Sequence, residues 1–543
     1  MMRLRPSAAS LFPFVVACVL AVPAGAQRPS SPQSLSARID AILARPEFKH
    51  ATFGIEFFSL DNDTPVYTMN ADKLFVPGST TKLVTMGSAM QILGADYRLH
   101  TRVCRTGDID TQGTLHGDLV LVASGDTNLS GRIRPGDKLA FENVDHSYGG
   151  PDSRGLEGDP LRVIRDLAGE VAKHAIKRVD GSVIVDVSLF PEGERDGGTG
   201  FVISPIVVND NAIDVLVSPG KEGEAAVFQI APDTSYARFV NHATTGKAGS
   251  RYSIRVESDV ARADGTRTVT IGGSIPVDVK SAMYAYRVPQ PSRFAEIVLA
   301  EALHERGIVA SARPIEKADD QPDVRRPARS YAPEQIVAEH VSPPFSEEVK
   351  ITLKVSQNLH ASATPFLLGA LERKGAKSKD GTSDNDPDAV GFIRMRKFLE
   401  TTGADVTGAS QSDGAGAAAH FTPDFMVHYL AFMAKQPTAA IFHDALPVLG
   451  KDGTLWNIQV KSPAAGHVVA KTGTYSSGDL LHEGVIVDGK GLAGYMTTAD
   501  GRRLAVAIYA NNVPLTDGTL VTPVVGDALG EIAAAAYDAP RIR

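Results

Sequence analysis

A serine followed three residues later by a lysine is the first pattern in this sequence that could do chemistry. In "KLFVPGSTTKLVT", residues 73–85, a Pro-Gly pair precedes Ser79, and Lys82 follows one helical turn later. Residues i and i+3 share one face of a helix, so Lys82 can touch the Ser79 hydroxyl. Because a neutral lysine amine can remove a hydroxyl proton, we predict that Ser79 is a nucleophile and Lys82 its base.

The same pattern also has a purely structural interpretation. A serine before an apolar run is a common helix N-cap, and Ser-x-x-Lys alone is a weak motif. The chain repeats this spacing at Ser218 and Lys221, but there Pro219 and Gly220 lie between the two residues and prevent a helical turn. Nothing interrupts the turn after Ser79, yet this motif alone leaves cap and nucleophile both open.

A second lysine that could reach the same site lies near the other end of the chain. In "GHVVAKTGTYSSG" a β-branched run leads into Lys471, Thr472, Gly473 and Thr474. A lysine and hydroxyls on a strand edge can bind a carboxylate, and a glycine lets a substrate backbone lie close. A cation near Lys82 would also lower the Lys82 pKa towards neutrality. The alternative is an ordinary edge-strand lysine before a turn.

A third candidate group lies in the helical stretch "ITLKVSQNLHASATPFLL". Ser356 could relay a proton to a leaving amine, and the Asn358 amide could hold Lys82 and a substrate carbonyl together. Ser383 and Asn385 in "TSDNDPD" compete for this role, but their polar surroundings indicate an exposed loop. We predict Ser356 and Asn358, because catalytic groups need packed support.

Helices and antiparallel strands at both ends of the chain must position these residues. Two strand-like segments flank the turn at 61–63, and another two flank Asp500-Gly501. Residues 98–335 consist mostly of short alternating segments such as "TRTVTIGG". We predict an α+β fold in which one domain, residues 27–97 and 336–543, is interrupted by an inserted β-rich region, 98–335, made of two nested domains.

The first 26 residues are typical of a signal peptide. They combine a basic start, an apolar stretch at 11–22 and a small-residue "AGA" before Gln27. Twelve apolar residues are fewer than the ~20 that a membrane-spanning helix needs. We therefore expect export to the periplasm or cell wall, cleavage after Ala26 and no stable membrane anchor. The remaining Cys104 would then have no cysteine to pair with inside the chain.

Composition narrows the class of partner. The chain has 543 residues and a formal net charge of -8, and it contains no long Lys/Arg run. These features argue against nucleic-acid binding and favour small or peptidic partners.

The chain resembles the penicillin-binding, serine D-Ala-D-Ala peptidase superfamily, because it contains three motifs in the order Ser-x-x-Lys, Ser-x-Asn and Lys-Thr-Gly. Lys82 and Ser356 are 274 residues apart. Such a long insertion is similar to the class C, low-molecular-mass D-alanyl-D-alanine carboxypeptidase/endopeptidases of peptidase family S13. The stretches "VASGDTNLSG", "SDGAG" and "GYMTTADGRRLAVAIYANN" also look like that family.

This resemblance implies a penicillin-binding/serine β-lactamase-like transpeptidase domain acting on peptidoglycan stem peptides, with β-lactams as covalent inhibitors. Ser79 would attack the penultimate D-Ala carbonyl with Lys82 as base, and the backbone N–H groups of Ser79 and Thr474 would form the oxyanion hole. Lys471, Thr472 and Thr474 would hold the terminal carboxylate. The resemblance implies no metal or other cofactor.

Two other functions share these motifs. A β-lactamase or esterase could use the same scaffold, but the long insertion argues against it. A non-catalytic cell-wall binding module would keep the fold and lose the chemistry, whereas all three motifs are intact here. The balance between carboxypeptidase and endopeptidase activity stays open.

One stretch departs from the S13 pattern. The segment "SDGAGAAAHFTP" usually reads Asp-Gly-Ser-Gly-Leu-Ser-Arg in that family, so Ala415 and Ala419 replace the serine and the arginine. In the family this arginine helps to hold the stem-peptide side chain, so its replacement by Ala419 predicts relaxed selectivity for a side-chain carboxylate of the stem peptide.

Overall fold

The computed structural model describes residues 34–314, 330–372 and 386–539. The predicted signal peptide lies outside these ranges. The helices within them are α1 Leu35–Leu43, α2 Thr81–Leu93, α3 Arg162–Ala172, α4 Pro291–Glu305, α5 Phe345–Lys354, α6 Asn358–Glu372, α7 Pro387–Leu399, α8 Pro423–Met433, α9 Ala439–Asp444 and α10 Asp527–Tyr537.

The strands of the same ranges are β1 Thr52–Ser59, β2 Thr64–Met69, β3 His100–Arg105, β4 Thr114–Leu115, β5 Leu119–Val122, β6 Ile133–Arg134, β7 Lys138–Leu139, β8 Arg178–Val179, β9 Val183–Asp186, β10 Ala212–Ser218, β11 Val227–Ala231, β12 Ala237–Asn241, β13 Thr244–Gly246, β14 Arg255–Ala261, β15 Arg267–Gly272, β16 Ser274–Pro276, β17 Ala282–Arg287, β18 Ile336–Val341, β19 Ala409–Gln411, β20 Ala419–Phe421, β21 Val468–Asp479, β22 Gly484–Thr497, β23 Arg503–Asn511 and β24 Val513–Leu515. Helices and mostly antiparallel strands coexist, so the predicted α+β class is confirmed.

The largest sheet joins the two ends of the chain. Its order is β2-β1-β23-β22-β21, with β24 paired to β22, and all of these pairs are antiparallel. The hairpins predicted around residues 61–63 and 500–501 are β1–β2 and β22–β23, and both are confirmed. Strand β21, which carries the Lys-Thr-Gly motif, lies at one edge of this sheet.

Helices cover both faces of the large sheet. Alternate residues of a strand point to opposite faces, and in β23 Val506 and Ile508 pack in the same apolar cluster as residues of α1 and α10. Ala507 and Tyr509 point the other way and pack with residues of α2 and α8. Strand β23 is therefore apolar on both faces, and the sheet forms the middle layer that fixes α2 relative to β21.

The region between α2 and α5 holds smaller sheets with a core of their own. They include β18-β3-β5-β9, β11-β10-β17 and β12-β15-β14, and their buried side chains form one apolar cluster with α3 and α4. Strand β18, which follows the boundary predicted at residue 335, pairs with β3 inside this region. The proposed domain boundaries stay a prediction.

One helical segment within the described residues, Gly518–Tyr537, is long and apolar enough to cross a membrane by length and composition. The segment has 20 residues; an 18-residue window within it has a mean hydropathy of 1.3, and 44% of that window is buried. The α10 part packs its alanines, Leu529 and Ile532 into the core beside the large sheet. Such packing is typical of a core helix, so the segment is weak evidence for a membrane span.

Candidate active site

Ser79 lies in a tight turn directly before α2. The turn, Gly78–Thr80, is a 3-10 helix, and Thr80 rather than Ser79 is the N-cap of α2. Gly78 has φ +51°, and a Cβ there would lie 2.5 Å from the Thr474 backbone nitrogen. Only glycine tolerates both this left-handed conformation and the close approach of β21. The Ser79 hydroxyl is not used as a cap and remains available for chemistry.

Lys82 is fully buried, and it makes the contact with the Ser79 hydroxyl that their spacing in the sequence predicts. The Lys82 Nζ atom lies 2.7 Å from Ser79 Oγ, and the residue as a whole is 0% exposed. Burial lowers the Lys82 pKa to about 7, because the charged amine loses its hydration, although the carboxylates of Asp413 and Asp196 act in the opposite direction. A substantial fraction of Lys82 is therefore neutral near pH 7 and able to accept a proton.

Ser356 and Asn358 meet Lys82 from the other side. Lys82 Nζ donates to Asn358 Oδ1 at 2.5 Å and to Ser356 Oγ at 3.2 Å. Asn358 is the first residue of α6, and Ser356 has φ +64°, which is uncommon for a residue other than glycine. The structure thus brings both predicted residues to Ser79, whereas Ser383 and Asn385 lie outside the described residues.

Lys471 comes from β21 and shares Ser356 with Lys82. Its Nζ donates to Ser356 Oγ at 2.9 Å and to the Thr472 carbonyl at 2.7 Å. Burial, followed by repulsion from Lys82 and Lys490, holds the Lys471 pKa well below its usual range. The sequence predicts that the second cation lowers the Lys82 pKa, but burial is the main cause at Lys82. Repulsion between the lysines lowers the pKa of Lys471 instead.

The rest of the Lys-Thr-Gly motif follows the strand alternation. Thr472 and Thr474 lie on one face of β21, and Thr472 Oγ1 donates to Thr454 Oγ1 at 2.7 Å. A methyl group on Gly473 would fall on the Pro77 carbonyl oxygen. Only a residue without Cβ lets β21 pack this closely on the turn that holds Ser79, so Gly473 acts first on the protein's own geometry.

A cleft of about 540 Å³ is lined by five of the predicted residues, namely Ser79, Ser356, Asn358, Thr472 and Thr474. Its wall also contains residues that the sequence motifs did not indicate, among them Tyr148, Thr454 and Lys490. The Tyr148 hydroxyl donates to the Ser356 carbonyl at 2.5 Å, and this bond supports the unusual backbone of Ser356. Tyr148 belongs to the inserted region, and no local motif marks it. Lys490 could have been found only from the register of the β21–β22 hairpin.

The departure at Ala419 has a structural outcome. Ala419 lies in β20 opposite Gln411 and is 2% exposed, within the apolar cluster beside Phe421. The Ala419 side chain therefore packs in the core and does not face the cleft. An arginine at this position would have to bury its guanidinium there. Relaxed selectivity for a side-chain carboxylate stays a prediction.

One buried set of side chains among the described residues could hold a metal ion, namely Asp145, His146 and Asp210. The Arg132 guanidinium, itself fully buried, donates to Asp145 at 2.6 Å and to Asp210 at 2.5 Å. A guanidinium therefore already supplies the positive charge that these two carboxylates need. The Ser–Lys chemistry needs no metal. That the protein uses no metal cofactor stays a prediction.

The site combines a serine with a buried lysine as its base, and it is built on an antiparallel sheet with helices on both faces. This combination defines the penicillin-binding class of serine enzymes. The sequence matches the D-Ala-D-Ala carboxypeptidase 3 (S13) family over residues 35–534. The chain belongs to this family, and the predicted resemblance is confirmed.

Similar proteins carry consistent names. A D-alanyl-D-alanine carboxypeptidase of Actinomadura sp. (strain R39) is 28% identical over 498 residues, covering 87% of this chain and 80% of the relative. D-alanyl-D-alanine carboxypeptidase DacB of Haemophilus influenzae is 21% identical over 467 residues, covering 82% of this chain and 83% of the relative.

The fold has a close counterpart among solved structures. Penicillin binding protein 4 (dacB) of Haemophilus influenzae superposes with a TM-score of 0.68 at 17% sequence identity, covering 92% of this chain and 99% of that chain. A structure of the same protein complexed with a β-lactam gives a TM-score of 0.65. The predicted fold class, a penicillin-binding fold with inserted β-rich regions, is confirmed at the level of the fold.

Proposed function

We propose that this protein is a serine D-Ala-D-Ala carboxypeptidase, endopeptidase or both, which cleaves peptidoglycan stem peptides through an acyl-enzyme at Ser79. The observation that carries the proposal is the 2.7 Å contact between Ser79 Oγ and the buried Nζ of Lys82. Membership of the S13 family supports the substrate class.

In the acylation step, neutral Lys82 takes the Ser79 proton while Oγ attacks the carbonyl carbon of the penultimate D-Ala. The new ester bond forms as the peptide bond breaks, and the leaving amine receives a proton. Ser356 suits this relay because its hydroxyl lies 3.2 Å from Lys82 Nζ and 2.9 Å from Lys471 Nζ. Water then hydrolyses the ester and releases the shortened peptide.

The carbonyl oxygen of the substrate gains negative charge during both steps. The backbone N–H groups of Ser79 and Thr474 are the proposed donors to this oxyanion. The tight packing of Gly78 against the Thr474 backbone supports this role, because it holds the two segments together. Removing one such donor typically lowers kcat by about 10²- to 10³-fold.

β-Lactams are the proposed covalent inhibitors, because the same serine would open their ring and form a stable ester. The likeness to a penicillin binding protein that was solved with a bound β-lactam supports this proposal at the level of the fold. The signal-like residues 1–26 support an exported protein acting in the periplasm or at the cell wall.

The experiment is mass spectrometry of cell-wall muropeptides after incubation with the purified mature protein. Carboxypeptidase activity converts pentapeptide stems to tetrapeptides, and endopeptidase activity converts cross-linked dimers to monomers. Ser79→Ala, which keeps the fold and removes the nucleophile, is the control. Muropeptides left unchanged by the wild-type protein would contradict the proposal.

A further inference from the structure

Lys490 is a third buried lysine near Ser79, after Lys82 and Lys471, and it has no part in the proposed acylation and hydrolysis steps. It lies on β22 opposite Thr474 of β21, and its Nζ donates to Thr474 Oγ1 at 2.6 Å. The residue is 7% exposed and lines the same cleft of about 540 Å³ as Ser79.

The Lys490 ammonium has no anionic partner among the residues that the structure describes. Burial alone lowers its pKa to about 8, with no contribution from a nearby carboxylate. Lys354 shows the contrast, because this buried lysine donates to both carboxylate oxygens of Asp452 at 2.8 and 2.7 Å. An unpaired buried ammonium is unfavourable unless an anion reaches it.

The side chains around Lys490 indicate where such an anion would bind. Thr472 and Thr474 are two residues apart on β21 and share one face of the strand. The Lys490 ammonium ends on that face, at the Thr474 hydroxyl. Lys471 is engaged elsewhere, because its Nζ donates to Ser356 and to its neighbour's carbonyl.

We propose that Lys490, with the Thr474 hydroxyl, binds the terminal carboxylate of the substrate, while Lys471 serves Ser356 in the proton relay. This inference rests on the proposed function, since it assigns a residue to the substrate of that site. It revises the expectation that Lys471 is the cation that holds this carboxylate.

The test compares two substrates that differ only at the terminal carboxylate. Both are D-Ala-D-lactate-type depsipeptides with the scissile bond as an ester; one ends in a free carboxylate and the other in a primary amide. A hydrogen bond to a charged group contributes ~1.5–3 kcal/mol, which corresponds to about 10- to 100-fold. Lys490→Met should therefore lower kcat/KM for the carboxylate substrate about 10- to 100-fold and change it less than about threefold for the amide.

Three further variants complete the design. Lys490→Arg keeps the cation and should retain most of the preference for the carboxylate. Lys73→Met removes a lysine whose side chain is 65% exposed and should change neither substrate. If Lys490→Met does not fold, Thr474→Val removes the second donor and should show the same selective loss.

Equal losses on both substrates, or no loss on either, would overturn the assignment of Lys490 and leave the proposed function standing. If Ser79→Ala cleaved both substrates as fast as the wild type, the proposed function would fall and the Lys490 assignment with it.

Discussion

At the scale of single residues, burial rather than any partner charge prepares Lys82 for catalysis. The amine is enclosed by Ser79, Ser356 and Asn358, and its loss of hydration lowers the pKa to about 7. The nearby carboxylates keep that pKa from falling further. Lys82 can therefore exchange a proton near neutral pH, which is what a general base requires.

This pKa predicts the pH dependence of acylation. Below pH 7 Lys82 is mostly protonated and cannot accept the Ser79 proton, so the acylation rate should rise with pH through about 7. Well below that value it should rise roughly tenfold per pH unit, as for a single ionisation. The measurement is the second-order rate of labelling by a fluorescent penicillin between pH 5 and 8, with thermal melts to show that the protein stays folded. A rate that is constant or falls between pH 5 and 7 would exclude Lys82 as the base.

At the scale of elements, the site depends on how closely β21 packs on the turn that carries Ser79. A Cβ on Gly473 would fall on the Pro77 carbonyl oxygen and 3.1 Å from the Ser79 backbone nitrogen. Either the strand or the turn would have to move, and the oxyanion donors with it.

Gly473→Ala should therefore lower the acylation rate about 100-fold, in the range expected for a lost oxyanion donor. Gly478→Ala is the matched control on the same strand, because a Cβ there meets nothing within 4 Å, and it should change the rate less than about twofold. Both are measured by penicillin labelling. Similar rates for the two variants would show that the packing of β21 on the turn is not important.

The sequence predicted the parts of the site that depend on local spacing. Ser79 and Lys82 meet because they lie one helical turn apart, and the turn at Asp500-Gly501 marks its hairpin directly. Tyr148 and Lys490 could not be found in this way, because their positions depend on long-range folding and on the register of a long hairpin. Its apolar surroundings favour Ser356 over Ser383 as the site residue, and Ser356 lies in the cleft.

At the scale of the whole molecule, a buried ionic network joins the inserted region to the catalytic helix α6. Asp210 accepts from Arg132 at 2.5 Å and lies 2.5 Å from His146 Nε2 and 2.7 Å from His360 Nε2. His360 follows Asn358 by two residues on α6. The network therefore connects the inserted region to the helix that begins at Asn358.

Asp210→Asn should destabilise the protein by about 3–5 kcal/mol, because it removes one partner of a buried ion pair and leaves the other charges uncompensated. The control is Asp108→Asn, since the Asp108 side chain is 100% exposed in its ion pair and its loss should change stability by less than about 1 kcal/mol. Urea denaturation followed by circular dichroism measures both. Equal unfolding midpoints would show that the network does not support the fold.

Whether Ser79 is the nucleophile is tested by the intact mass of the mature protein after incubation with benzylpenicillin, followed by peptide mapping. We predict that one penicilloyl group is added and that it maps to Ser79. Ser79→Ala should remain unmodified, and Lys82→Ala should acylate at least about 100-fold more slowly, because general-base catalysis typically contributes 10²- to 10⁴-fold. An adduct on another residue, or an unmodified wild-type protein that is shown to be folded, would show that Ser79 is not an acylated nucleophile.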